Sequence, residues 1–159
     1  MAPEKISIKA GLKVMRSPQE VFETIVDPDQ MSNYFIETST GRMEAGKTVT
    51  WKFPEFDMRF PVHVEKTDPG KFISFYWDGA SDGQDTLVEM KLRALDSGCF
   101  IEITEKEKKN DEAGIKWLKS NTEGWANFLA CLKAFMEFGI NLRKNAYDSS
   151  QLPTKDIMV

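Results

Sequence analysis

Histidine occurs once and cysteine twice in the 159 residues, and these scarcities remove whole classes of chemistry. His63 alternates with Phe60, Val62 and Val64 along an apparent strand, so it is expected to face outward beside Arg59 and Glu65 rather than serve as a base. With one histidine, no close pair of cysteines and no His-Glu spacing on a helix, a zinc enzyme or a nucleophilic triad lacks its parts. Cys99 and Cys131 lie among apolar neighbours and suit free buried thiols in a reducing compartment. The acidic loop Asp78, Asp82, Asp85 misses the spacing of an EF-hand and reads as a solvated turn. There is no phosphate loop and no dinucleotide fingerprint. No catalytic residue, metal ligand or cofactor is therefore assigned.

Charge and hydropathy exclude further classes. The net charge of −4 comes from interspersed acids and bases, with no basic stripe of the kind a nucleic acid requires. No segment reaches eighteen uninterrupted apolar residues, and the opening "MAPEKISIKAG" has no signal-peptide core. A cytoplasmic location without a membrane span is the expectation. Length suits a single domain, placed at residues 1–143, with a polar tail at 144–159 that contains a proline and is expected to be loosely held or packed as an extended arm.

What the sequence does have is aromatic volume: eleven Phe, four Trp and three Tyr. Ile6, Ile8, Ala10, Leu12 and Val14 alternate with polar residues as a half-buried strand. "SPQE" then offers Ser17 as cap, Pro18 as first helical residue and Glu20 as capping-box carboxylate, and Asp27-Pro28 opens a second short helix that carries Met31, Tyr34 and Phe35. "GRMEAGK" reads as a short strand and turn. Alternating segments follow, with inner faces Val49/Trp51/Phe53, Met58/Phe60/Val62/Val64, Ile73/Phe75/Trp77, Val88/Met90/Leu92 and Cys99/Ile101/Ile103, separated by turn chemistry. They predict an antiparallel meander, about seven strands in all. "EKEKKNDEAG" reads as a solvated connection, and Ile115, Trp117 and Leu118 as a short helix before a long one starting near Asn121 with a Ser120/Glu123 capping box.

From Gly124 to Arg143, Trp125, Phe128, Cys131, Leu132, Phe135, Met136, Phe138, Ile140 and Leu142 cover roughly 200° of a helix, where a surface helix needs about 100°. The order of elements gives an α+β domain whose curved sheet wraps this helix. Gly139 falls near the centre of the arc, between Phe135 and Met136. It marks either an unfilled cavity or a helix end and close backbone contact.

Three stretches carry a family resemblance. "SPQEVFETIVDPDQMSNYF" resembles an opening "s-p-e-x-V-F" with a helix pair ending in "W-F", Tyr34 standing for the Trp. "DPGKFISFYWD" resembles "P-x-x-L-x-F-x-W" through Pro69, Ile73, Phe75 and Trp77, with some slack in the spacing. "EGWANFLACLKAFMEFG" is similar to "G-W-x-x-x-L-x-x-L-K-x-x-x-E" through Gly124, Trp125, Leu129, Leu132, Lys133 and Glu137. Together they resemble the homologues of the activator of the heat-shock-protein-90 ATPase, within the START-like (SRPBCC) helix-grip proteins. The resemblance implies a long C-terminal helix over an incomplete antiparallel barrel, with a cavity that receives apolar molecules in relatives. It does not imply one activity, since members include lipid carriers, cyclases and a co-chaperone. The co-chaperone proper has a further N-terminal domain, whereas this chain opens directly on the first strand, so ATPase activation is not expected.

Tyr34, Phe35, Trp51, Phe53, Phe60, Phe75, Trp77, Met90, Trp125, Phe128, Leu132 and Phe135 are the candidate ligand-binding residues, since ligand sites are concave and mostly apolar. Tyr34 and Phe35 are expected near the mouth, with the Tyr34 hydroxyl as a polar end. The expected function is a non-enzymatic module that binds a small apolar or amphipathic molecule. The alternatives are a chaperone-linked protein-interaction module and an enzyme of the cyclase or dehydratase kind.

Overall fold

The structure is a computed structural model that describes residues 2–147. Its elements run β1 (Lys5–Val14), α1 (Pro18–Val26), α2 (Pro28–Met31), β2 (Thr38–Ser39), β3 (Thr48–Lys52), β4 (Arg59–Asp68), β5 (Phe72–Trp77), β6 (Thr86–Ala94), β7 (Cys99–Lys109) and α3 (Glu112–Phe138). The strands form one antiparallel sheet in the order β1-β7-β6-β5-β4-β3-β2. All but the outermost pair follow chain order, as short antiparallel connections favour. Only β1 returns across the domain, pairing β7 from Lys5↔Lys109 to Val14↔Cys99. The sheet curves around α3, which is the α+β helix-grip arrangement.

Local chemistry explains the element boundaries. Ser17 caps α1 through a reciprocal capping box with Glu20, and Pro18 takes the first position. Asp27 caps α2 by accepting from the Asp29 N–H, with Pro28 next. These two caps place Tyr34 and Phe35 in the turn after α2, where both are buried.

Several boundaries and faces differ from the sequence reading. The strand β7 continues through "EKEKK" to Lys109, because its outward lysines and glutamates pair across the sheet, as Lys106 does with Glu89. The helix α3 is continuous from Glu112 and carries Ile115, Trp117 and Leu118; Asp111 caps it by accepting from the Gly114 N–H, so Ser120 and Glu123 lie mid-helix. At its other end α3 stops at Phe138, and Phe138, Ile140 and Leu142 are exposed rather than part of a covered arc. Gly139 is the C-cap, left-handed at φ 66°, and a Cβ there would meet nothing within 4 Å; it ends the helix and borders no cavity. Met58 precedes β4 and is exposed, and the short second strand is Thr38–Ser39 rather than part of "GRMEAGK".

The inner face otherwise follows the alternation, and Cys99 and Cys131 are free and buried. His63, Arg59 and Glu65 point outward; His63 Nδ1 lies 2.9 Å from Thr48 Oγ1. Residues 144–147 fold into a turn against the body, and the rest of the proposed tail lies outside the described residues.

Candidate functional site

The inner face of the sheet is a series of cross-strand rows, and one row is chemically odd. Register aligns Val64, Phe75, Val88, Glu105 and Ile8 across β4, β5, β6, β7 and β1. Glu105 is a carboxylate among hydrocarbon side chains, and it is fully buried. Isolated burial of a charged carboxyl costs several kcal/mol, so it persists only where its oxygens are satisfied.

Four donors satisfy it. Oε1 accepts from the Trp125 indole at 2.8 Å and from Asn121 Nδ2 at 3.1 Å, both on α3. Oε2 accepts from the Trp77 indole at 3.1 Å and from the Thr86 hydroxyl, on β5 and β6. All four are neutral, and each oxygen takes its pair from one layer. Glu105 therefore fastens the helix to the sheet at a fixed point. This point was missed in the sequence, although a signal was there: Cys99, Ile101 and Ile103 face inward, and the same parity puts Glu105 inside.

Around this centre lie the predicted aromatic residues. Trp77 sits 5.8 Å from Trp51 and 5.7 Å from Trp125, ring centroid to ring centroid. Phe35 packs edge-on against Phe128 at 4.7 Å and against Phe53 at 5.0 Å. Phe60, Phe75, Met90 and Leu132 complete the same buried cluster, and Phe135 lies half-buried on Tyr34 at 5.7 Å. All twelve predicted residues thus belong to one contiguous assembly of rings and aliphatic side chains. The Tyr34 hydroxyl turns away from it and donates to the Thr24 carbonyl at 2.9 Å. Burial holds that phenol well above its ordinary titration range.

At the far end, the turn after α3 folds back over the rings. Arg143, itself buried, donates through Nη2 and Nε to the two carboxylate oxygens of Glu55 at 2.6 and 3.3 Å. Its guanidinium carbon lies 5.4 Å from the centre of Phe35, 5.2 Å from Phe53 and 4.8 Å from Tyr147. Planar cation stacking and a bidentate carboxylate fix one side chain in one place. Asn127 holds the other end of the turn by donating to the Tyr147 hydroxyl at 2.8 Å. An opening of about 230 Å³ remains beside this clasp, lined by Tyr34, Phe35, Ile36, Pro54, Glu55 and Arg143 among others. A second, of about 210 Å³, lies on the opposite side of the turn against Asn127, Cys131 and Leu142. Nothing in the sequence pattern announced the Arg143–Glu55 pair, whose members are 88 residues apart.

The acidic loop is committed to its own turn. Asp78 accepts from the Asp82 and Gly83 N–H groups, and Asp82 from the Gln84 N–H and the Lys108 ammonium. No group of three His, Cys, Asp or Glu side chains placed to hold a metal occurs among the described residues. No helix among them is long and apolar enough to cross a membrane.

A long helix gripped by a curved antiparallel sheet, with an aromatic interior closed at one end, defines a START-like helix-grip protein. The chain belongs to the family described as Activator of Hsp90 ATPase homolog 1-like protein, whose model matches residues 16–137. Among solved structures it is similar to protein SSP2350 from Staphylococcus saprophyticus, at 29% identity and a TM-score of 0.75, covering 87% of this chain and 96% of that one. It also resembles the Aha1 dimer from Colwellia psychrerythraea in fold, at 18% identity and a TM-score of 0.73 over 84% and 98% of the two chains. DynU16, a putative protein in the dynemicin biosynthetic locus, matches at 19% identity and a TM-score of 0.75 over 84% of this chain and 48% of its own. No curated protein sequence matches the chain. Family membership supports a ligand-binding or chaperone-associated module in general terms.

Proposed function

We propose that the protein is a non-enzymatic binding module that holds a small apolar or amphipathic molecule between α3 and the sheet, admitted at the end closed by Arg143. The observation that carries this reading is the opening beside the Arg143–Glu55 pair. Its wall includes Phe35, which also touches Phe53, Trp51, Trp125 and Phe128. At about 230 Å³ it is smaller than the roughly 300–1,000 Å³ of most ligand pockets. Full occupancy therefore requires Arg143 to swing out and the rings to part. Affinity then comes from apolar burial at about 25 cal/mol per Å².

Native mass spectrometry of gently purified protein, compared with the same sample denatured, tests the proposal. Release of a small apolar molecule of defined mass supports it, and a protein that stays empty when incubated with a panel of fatty acids and polycyclic probes argues against it.

A second reading rests on a separate observation. Phe138, Ile140 and Leu142 are exposed in succession just where α3 ends, at 67%, 53% and 52%. Clustered exposed apolar side chains suit a protein partner, which favours a chaperone-linked interaction module. Loss of a co-purifying polypeptide on Phe138→Ser/Leu142→Ser would support this reading, and unchanged behaviour would remove its basis.

A further inference from the structure

The first half of α3 buries two polar atoms that meet no partner among the described residues: the Trp117 indole N–H and the Asn121 carbonyl oxygen Oδ1. They stand four residues apart, so one helical turn brings them to the same face, with Cβ atoms about 5–6 Å apart. Trp117 is 4% exposed and Asn121 is fully buried. An unpaired buried polar atom is unfavourable, because it has given up its water without gaining a partner. Two on adjacent turns of one helix call for a common explanation.

The orientation of the Asn121 amide is fixed by chemistry. Its Nδ2 faces Glu105 Oε1, which also receives the Trp125 N–H, so the amide oxygen must turn the other way. The nearby Lys108 ammonium pairs with Asp82, lies over the face of the Trp117 ring at 5.7 Å and makes no hydrogen bond to Asn121 Oδ1. Trp117 and Asn121 thus present one unpaired donor and one unpaired acceptor, beside a carboxyl group whose oxygens are occupied.

We propose, on the basis of the binding-module reading above, that Trp117 and Asn121 are the polar subsite for the ligand and that the ligand carries an alcohol or phenol. A hydroxyl accepts from the indole N–H and donates to the amide oxygen, completing both atoms with one group. A ketone has nothing to give Asn121, and an ammonium has nothing to accept from Trp117. A carboxylate lacks the donor and would sit close to Glu105. The amphipathic molecule is thus oriented with its hydroxyl under the first half of α3 and its hydrocarbon among the rings toward Arg143.

The test compares 2-naphthol with 2-methylnaphthalene by equilibrium dialysis against the wild-type chain and Trp117→Phe. The probes share a shape, and burial alone favours the methyl compound. A preference for the naphthol is therefore diagnostic. The expected result is at least tenfold tighter binding of 2-naphthol by wild type. Trp117→Phe is expected to bring 2-naphthol down to the methylnaphthalene level while leaving the latter unchanged. Trp117→Phe removes no hydrogen bond found within the described residues, so thermal stability that holds or rises shows that the lost preference is not a folding defect.

Equal binding of both probes by wild type overturns the hydroxyl subsite while leaving the binding module intact; the two atoms then serve a buried water only. Binding of neither probe overturns the module reading and the subsite with it. The wild-type comparison decides the matter even if the variant does not fold.

Discussion

The Trp125 indole N–H reaches from the middle of α3 to Glu105 Oε1 on β7 across 2.8 Å. The bond joins the two layers of the domain at a point where every neighbour in the cross-strand row is apolar. Helix position thus depends on a polar bond within an aromatic interior, and low local polarity makes that bond costly to break.

Removing the carboxyl should therefore be severe. Glu105→Ala leaves the Trp77 and Trp125 indoles and Asn121 Nδ2 without an acceptor, the Thr86 hydroxyl keeping the Trp77 carbonyl, and is expected to cost about 3–5 kcal/mol, seen as a fall of roughly 10 °C in Tm. Glu105→Gln retains one acceptor oxygen and should cost less. Denaturant titration with Trp fluorescence measures both; a Glu105→Leu variant as stable as wild type would show that the carboxyl does not fasten the helix.

The Arg143 clasp makes a prediction about cysteine access. Cys131 borders the second opening beside the turn, whereas Cys99 opens β7 and is fully buried. Burial pushes both thiols above their ordinary pKa, so neither should react quickly with a thiol reagent. Arg143→Ala, which frees the turn from Glu55, is expected to speed labelling of Cys131 at least tenfold and leave Cys99 as it was. Mass spectrometry of the labelled peptides reads the two sites separately, and equal acceleration of both would mean general loosening rather than release of a clasp.

Gly139 makes a sharp contrast between backbone and packing. Its left-handed φ predicts that Gly139→Ala costs about 1 kcal/mol and Gly139→Asn less. Because a side chain there meets open space, Gly139→Leu should not block binding of an apolar probe. Competition of Gly139→Leu with wild type for such a probe decides this.

Acid sensitivity follows from Glu137. The Lys133 ammonium, followed by the Met15 backbone N–H, holds its carboxyl below the ordinary value of 4.5. A lowered folded-state pKa gives stability that is fully present above the unfolded value and lost as pH falls through the folded one. The Glu23 carboxyl, hydrogen-bonded by Arg42, acts in the same direction. Stability should hold level above about pH 5 and decline below about 4.5, and Glu137→Gln should flatten part of that decline. A Tm that rises on acidification through this range would contradict the assignment.

Strands β1 and β3 to β7 and the starts of both short helices were legible because period-two alternation and Ser-Pro or Asp-Pro caps are local signals. The aromatic assembly was legible from the same kind of local pattern: Trp51, Phe75 and Trp77 sit on the inward parity of their strands, and Trp125 and Phe128, three residues apart, share one face of α3. What escaped was polar and long-range. Glu105 was passed over because a run of Glu and Lys looks like a solvated connection, though its strand continues to Lys109. Arg143 and Glu55 sit at a helix exit and in a turn, and only the closed fold brings them together. The extent of α3 was misjudged at both ends, since apolar residues continue past Gly139 without being buried.

The claim that an apolar molecule enters between α3 and the sheet is tested most directly by following the indole N–H resonances of Trp51, Trp77, Trp117 and Trp125 in a ¹⁵N–¹H correlation spectrum during titration with 2-naphthol. The account predicts saturable shifts of the Trp51 and Trp125 indoles, with Trp117 moving as its N–H acquires a partner. Indole resonances that stay fixed to the limit of probe solubility, while Phe138 and Leu142 amides shift, would contradict interior binding and move the functional surface to the exposed end of α3.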